Sequence, residues 1–212
     1  MERSAGGDVP IDTGHVWNER YSAHEYVYGT EPNAFLAEHA HLLRGPVLSL
    51  AEGEGRNAVY LASLGLEVHG VDQSDVGLSK AQALARSRGV TIRTEVADLR
   101  TFAPEAGAYR SAVSISAHLP TAVRKRLYPL IEQCLTPGGI VLLEAYAVAQ
   151  LGRNTGGPKD ADMLMSAATL AREFPNLEPI LLQELERDVH EGIGHTGLAS
   201  VVQFIGRRPD QG

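Results

Sequence analysis

Along this chain, short apolar runs of strand length alternate with stretches whose apolar residues recur every three or four positions. Residues 47–50, 66–71, 90–96, 112–116 and 140–145 are the strand-like runs. Between them, residues 57–64, 76–88 and 121–134 have helical spacing. Ser74 is the expected N-cap of the second helix, and Val123, Leu127, Leu130, Ile131 and Cys134 carry the pattern in the third. Pro129 falls inside that third helix and predicts a kink or break. Residues 140–145 are almost continuously apolar, as expected of a strand covered on both faces. Upstream, residues 16–28 are polar and aromatic, with Trp17, Tyr21, Tyr26 and Tyr28 close together. A turn over 29–33 leads into a short helix carrying Phe35, Leu36, Leu42 and Leu43. Downstream come a polar, glycine-rich loop at 153–160, a helix over 161–173, and strands near 180–189 and 198–205. Five strands alternating with helices, then a hairpin-like ending, predict an α/β protein with three layers, α/β/α.

One segment carries most of the chemistry: Leu48-Ser49-Leu50-Ala51-Glu52-Gly53-Glu54-Gly55-Arg56-Asn57. It is a strand that breaks into a two-glycine turn and opens a helix, and the next strand ends on Asp72. In open α/β sheets this unit holds an adenosine-type cofactor: glycines let the backbone approach the ligand, and the acid takes the ribose hydroxyls. Gly53-x-Gly55-x-x-Ala58 formally satisfies the dinucleotide pattern. A pyrophosphate, however, would lie against the helix N-terminus, where Glu52 and Glu54 line the turn. Like charges ~4–6 Å apart there cost on the order of a few kcal/mol. S-adenosylmethionine, with a cationic ammonium and sulfonium and no phosphate, suits an acidic turn better. The alternative leaves both glutamates pointing to solvent.

Composition narrows the remaining classes. With 212 residues, one domain over residues 1–212 is expected, with a flexible start at 1–15. No apolar run approaches the ~20 residues of a membrane span, and the start has no signal-peptide core. A net charge of -7 argues against a nucleic-acid partner. The one basic cluster, Arg124-Lys125-Arg126, spreads around a helix. A lone Cys134 suits a reducing cytoplasm and reads as a buried structural thiol. No metal-ligand spacing is present, so no metal is expected.

Taken together, Trp17-Asn18-Glu19-Arg20-Tyr21, Tyr28-Gly29-x-x-Pro32-Asn33, the 51–57 turn, Asp72-Gln73-Ser74, Ala97-Asp98 and Pro137-Gly138-Gly139 resemble the class I S-adenosylmethionine-dependent methyltransferases. The likeness is to the small bacterial branch related to tellurite-resistance and thiopurine methyltransferases. It implies a Rossmann-like fold with a mostly parallel seven-stranded sheet whose last strand is antiparallel. It also implies site roles. Gly53 and Gly55 would shape the turn under the methionine part. Asp72, next to Gln73, would accept the ribose hydroxyls, and Asp98 the adenine amino group, with Ala97 and the Leu99 backbone nearby. Ser114 and Ser116 would border the transferable methyl. Trp17, Tyr21, Tyr28 and Asn33, within a lid segment at 16–45, would close over the cofactor. Where the family commonly has an acid and a third glycine, this chain has Ser49 and Ala51. Glu52 is the candidate replacement for the acid, and Ala51 is tolerable if its φ stays negative.

Methyl transfer needs orientation more than activation, and a general base only for a nucleophile protonated at working pH. His118, after the fourth strand, is the candidate base. His195, with Arg153 and Lys159 of the glycine-rich loop, is expected to shape the acceptor pocket, whereas His69 reads as structural. The expected acceptor is a small molecule: a thiol, a metalloid oxyanion or another small nucleophile. The expected protein is cytoplasmic, monomeric or homodimeric, and without a membrane partner. A non-catalytic S-adenosylmethionine-binding protein and a nucleotide-dependent oxidoreductase are the alternatives.

Overall fold

The computed structural model describes residues 13–192 and 194–210. Its elements run α1 (Thr13–Tyr21), α2 (Ala34–His39), β1 (Val47–Leu50), α3 (Arg56–Ser63), β2 (Val68–Asp72), α4 (Asp75–Ser87), β3 (Arg93–Val96), β4 (Tyr109–Ile115), α5 (Thr121–Cys134), β5 (Leu135–Tyr146), α6 (Ala167–Glu173), β6 (Glu178–Glu191) and β7 (His195–Arg207). Of the flexible start expected at 1–15, residues 1–12 lie outside the described residues, and 13–15 open α1.

The seven strands form one sheet in the order β3-β2-β1-β4-β5-β7-β6. β1 pairs parallel with β2 and β4, β2 with β3, and β4 with β5, while β7 runs antiparallel to both neighbours. This is the mostly parallel sheet with an antiparallel last strand that the sequence led us to expect. Because side chains alternate across a strand, successive residues of β1 and β5 feed two cores. Leu48, Leu50, Val141 and Leu143 pack with Leu127, Tyr128 and Ile131 of α5 and Leu170 of α6. Val47, Ile140 and Leu142 pack with α2, α3 and α4 through Leu36, Val59, Leu61 and Leu84 on the opposite face. The result is three layers with both sheet faces covered, which is why β1 and β2 are buried at every position.

Several boundaries depart from the sequence expectation for local reasons. β3 is shorter than 90–96 because residues 89–90 close α4: Gly89 takes φ 68°, its N–H returns to Arg86, and that of Val90 returns to Ala85. Pro129 does not break α5. It sits on the exposed side, so the carbonyl it leaves without an N–H faces water while Leu127, Tyr128 and Ile131 stay packed. The helix expected over 161–173 is split. A single 3₁₀ turn at Ala161–Met163 precedes an extended stretch where Met165 bridges Ala147, and Ser166 then caps α6. Pro137-Gly138-Gly139 is accommodated within β5 as an irregularity, because the register jumps from Tyr109↔Leu135 to Ser111↔Ile140.

The glycine turn also fixes how closely α3 approaches α4. Gly55 has φ 95°, and a Cβ there would stand 2.5 Å from Cβ of Ala81. We expect Gly55→Ala to destabilise the fold by roughly 2–4 kcal/mol, from a left-handed backbone and an overpacked contact together. A urea-unfolding midpoint equal to wild type would contradict this.

Candidate functional site

The carboxyl ends of β1, β2, β4 and β5 open on the same edge of the sheet, the position where open α/β sheets bind ligands. After β1 the backbone is left-handed at Ala51 (φ 50°), Gly53 (φ 59°) and Gly55. Ala51 therefore departs from the negative φ expected of it and carries backbone strain. A side chain at Gly53 would lie 2.7 Å from the Tyr21 hydroxyl, so the turn is open to backbone approach only.

Neither glutamate of the turn faces outward. The Glu52 carboxylate, which the sequence reading offered to the cofactor's ammonium, is turned inward. One oxygen accepts from the Ala58 N–H (2.9 Å) and the other from the Ser49 hydroxyl. It caps α3, and burial pushes its carboxyl up to about 7 against the pull of those two donors. Glu54 is paired with Lys80 and accepts the Val27 N–H at 2.8 Å. The acidic lining expected of the turn is thus spent within the fold. The case against a diphosphate rests instead on the helix end: Glu52 already fills the first turn of α3, where a phosphate would have to bond.

Asp72 ends β2 with Oδ2 on the Gly53 N–H and Oδ1 on the Ser74 N–H, both at 2.8 Å. Burial raises its pKa while those amides oppose the rise. The Gln73 N–H contributes as well, and the carboxylate keeps acceptor capacity for a further donor. Gln73 follows it, half-buried, and Ala97 bonds back to the Asp72 carbonyl. Leu99 puts its side chain into the core. The Asp98 carboxylate, expected at the adenine, is held by the backbone N–H and guanidinium of Arg100, which keep it below the usual carboxylate range.

The aromatic residues of the N-terminal segment and the histidines of the sheet edge form one ladder. Trp17 stacks on Tyr21 (5.5 Å between centroids), Tyr21 meets Tyr28 (6.5 Å), Tyr28 meets His195 (4.7 Å), His195 meets Tyr146 (5.2 Å), and Tyr146 stacks on His118 (5.2 Å). The segment is pinned by Asn18 on Ser74 and Asp75, and by Lys80 on the carbonyls of Ala23 and Glu25.

Asn33, fully buried, caps α2 through Leu36 and donates to Glu144 and Glu191, each at 2.7 Å. Around it, Glu191 pairs with Arg56 (2.7 Å), and Arg187 pairs with Glu144 (2.5 Å) and Glu191 (3.2 Å). Ser116, Glu144, Tyr146, Arg187, Glu191 and His195 line a small crevice beside this cluster. Ser116 is itself left-handed (φ 55°), and Ser114 is buried one turn of the pleat earlier on β4.

Four placements correct or refine the sequence reading. His118 does not serve as a base: its Nε2 accepts the Tyr146 N–H at 3.0 Å, so its lone pair is spent. Desolvation, with His195 nearby, pushes that imidazole down to about 3. Arg153 is drawn away to Glu186 on β6, and Lys159 is exposed, so neither lines the crevice. The loop instead contributes its glycines, since Cβ atoms at Gly156 and Gly157 would strike His195 and Tyr146. His195 does line the crevice. Glu144, Arg187 and Glu191 were missed, although Glu144 was visible as the one charge inside an otherwise apolar strand.

Two measurements test these assignments. Ala51→Gly should stabilise the protein by about 1 kcal/mol through relief of the left-handed alanine, read as a higher urea midpoint. The His118 pKa is depressed on folding. The stability of its neutral ring is therefore fully present above about pH 6.5 and is lost as pH falls toward 3. His118→Gln should flatten that acid limb in thermal melts, and an unchanged slope would refute the assignment.

Residues 47–139 match the family model described as Methyltransferase domain, Methyltransf_25. No curated protein matches the chain. Among solved structures, the chain is similar to one from work on the conversion of a disulfide bond into a thioacetal group during echinomycin biosynthesis (20% identity, 94% of each chain, TM-score 0.74). It is also similar to TehB from Haemophilus influenzae (17% identity, 92% of this chain and 66% of that one, TM-score 0.67). A third is N-methyltransferase NodS from Bradyrhizobium japonicum WM9, solved with S-adenosyl-L-homocysteine (14% identity, 94% of this chain and 100% of that one, TM-score 0.67). Such identities speak to fold, and the fold agrees with the domain that the family model matches. Residues 47–139 thus match a methyltransferase domain, and the chain as a whole shares the fold of these solved structures.

Proposed function

We propose that this protein transfers the methyl group of S-adenosylmethionine to a small-molecule nucleophile, such as a thiol or a metalloid oxyanion. The observation that carries this reading is the union of Asp72, braced on the glycine turn, with a separate polar crevice on the same sheet edge. The first would hold a nucleoside, and the second turns polar side chains of β5, β6 and β7 toward the place an acceptor would occupy. TehB and NodS, which share the fold, are consistent with it.

The residues present fit the cofactor. Gly53 provides a backbone cradle that a Cβ would close. Nη1 of Arg56 is buried at the first residue of α3 without a protein partner, and it suits the methionine carboxylate. Ala51, Gly53 and Gly55 would lie under the methionine part, with Asp72 and Gln73 at the ribose. Ala97, Asp98 and Leu99 would meet the adenine, Asp98 once Arg100 yields. Ser114 and Ser116 would border the methyl. Trp17, Tyr21, Tyr28 and Asn33 belong to the lid at 16–45, within one domain spanning residues 1–212. When bound, the cofactor supplies a methyl already activated by a sulfonium, so the protein's part is to hold the acceptor in line and exclude water.

Within this reading the protein works in the cytoplasm as a monomer or homodimer, without nucleic acid. Its net charge of -7 and buried lone Cys134 support that, and no helix among the described residues is long and apolar enough to cross a membrane.

By calorimetry, wild type should bind S-adenosylmethionine and not NAD. Asp72→Ala should lose at least about tenfold in affinity with an unchanged circular-dichroism spectrum, since it removes both ribose acceptors. NAD binding without S-adenosylmethionine binding would refute the proposal.

A further inference from the structure

We propose that His195 is the general base of the transfer and that Glu191 positions it, an assignment that rests on the methyltransferase reading above. Glu191 ends β6 and His195 begins β7, so the hairpin brings them together four residues apart. Nδ1 of His195 lies 3.5 Å from Oε2 of Glu191, while Nε2 has no hydrogen-bond partner among the described residues. The ring lines the crevice beside Ser116 and Tyr146, at the carboxyl ends of β4 and β5.

Its orientation is fixed from several sides. Tyr28 tilts against the ring at 4.7 Å and Tyr146 meets it edge-on at 5.2 Å, the same Tyr146 that stacks on His118. Gly194 lets the Tyr28 ring in, where a Cβ would stand 2.4 Å from it, and Gly156 leaves room beside His195 itself. Glu191 is held in turn by Arg56, Arg187 and Asn33. Burial opposes its charge, but the His195 hydrogen bond and the guanidiniums win and keep its carboxyl below the usual range. An ionised Glu191 accepts Nδ1–H and leaves the Nε2 lone pair to the crevice. His118 has no such lone pair to offer.

The acceptor this arrangement serves is neutral and carries a weakly acidic proton, as a thiol or phenol does. Nε2 takes that proton. The electron pair released on the acceptor atom forms the bond to the methyl carbon as the carbon–sulfur bond breaks. The bonding pair of the broken carbon–sulfur bond stays on sulfur, leaving a neutral thioether, and the proton passes from His195 to solvent.

The test uses the full chain as wild type, His195→Gln and Glu191→Gln. Two probe acceptors are compared: 2-mercaptoethanol, protonated at neutral pH, and 4-nitrothiophenol, already ionised. His195→Gln should lower kcat for 2-mercaptoethanol by about 10²-fold or more. The loss with 4-nitrothiophenol should be smaller by at least about tenfold, because that acceptor needs no base. In nitrogen-15 spectra wild type should show the Nδ1–H tautomer, and Glu191→Gln should mix the two tautomers. Equal losses with both acceptors, no loss with either, or an Nε2–H tautomer in wild type would overturn the assignment. So would binding of S-adenosylmethionine with transfer to neither probe, which leaves the methyltransferase reading standing. Failure to bind S-adenosylmethionine would overturn that reading itself.

Discussion

Two carboxylates and two guanidiniums meet below the open edge of the sheet, and the parts of the site are tied to one another through them. Glu144 comes from β5, Glu191 and Arg187 from β6, and Arg56 from the first residue of α3. Asn33, from the N-terminal segment, bonds to both acids. Gln203 of β7 completes the shell of Glu144 at 2.6 Å. Removing one partner from such a cluster typically costs about 3–5 kcal/mol, because the charge left behind is buried and uncompensated. The cluster therefore does more than hold β6 and β7 on the sheet. It sets α3, and with it the glycine turn, at a fixed distance from the crevice.

The glycine turn is organised by the same logic. Glu52 turns back under α3 and Glu54 turns aside to Lys80, so both acids act as internal braces. Lys80 also gathers the carbonyls of Ala23 and Glu25. The N-terminal segment is thereby fastened to the turn by charge on one side, and by the aromatic ladder on the other. Among the described residues, the left-handed ones other than glycine, Ala51 and Ser116, both stand on this edge. Strain of that kind persists only where the surroundings over-determine it, and here they do.

Much of the architecture was legible because local rules agreed with global ones. The apolar run of β1, the Ser74 cap of α4 and the extent of α5 each follow from spacing and capping chemistry, and the structure reproduces them. Where expectation and structure part, a tertiary contact intervenes. Met165 leaves its helix to pair with Ala147, and the chain at 89–90 is taken by the helix exit.

For the site, the sequence alone determined which residues would gather at the sheet edge: the turn, Asp72, the N-terminal aromatics and His195. Strand ends and glycine turns are written in composition and order, and the topology of a parallel sheet brings them to one side. Side-chain direction was decided only by the tertiary structure. Glu52 and Glu54 look alike as acids in a turn, and His118 and His195 look alike as histidines near strand ends. How each acid is partnered, and which imidazole keeps a free lone pair, depends on contacts made across the fold: Lys80 with Glu54, Tyr146 with His118, and Arg56, far along the chain, holding Glu191 beside His195. Hydrogen bonds and ion pairs act over a few ångströms of space, and no spacing along the chain encodes that separation.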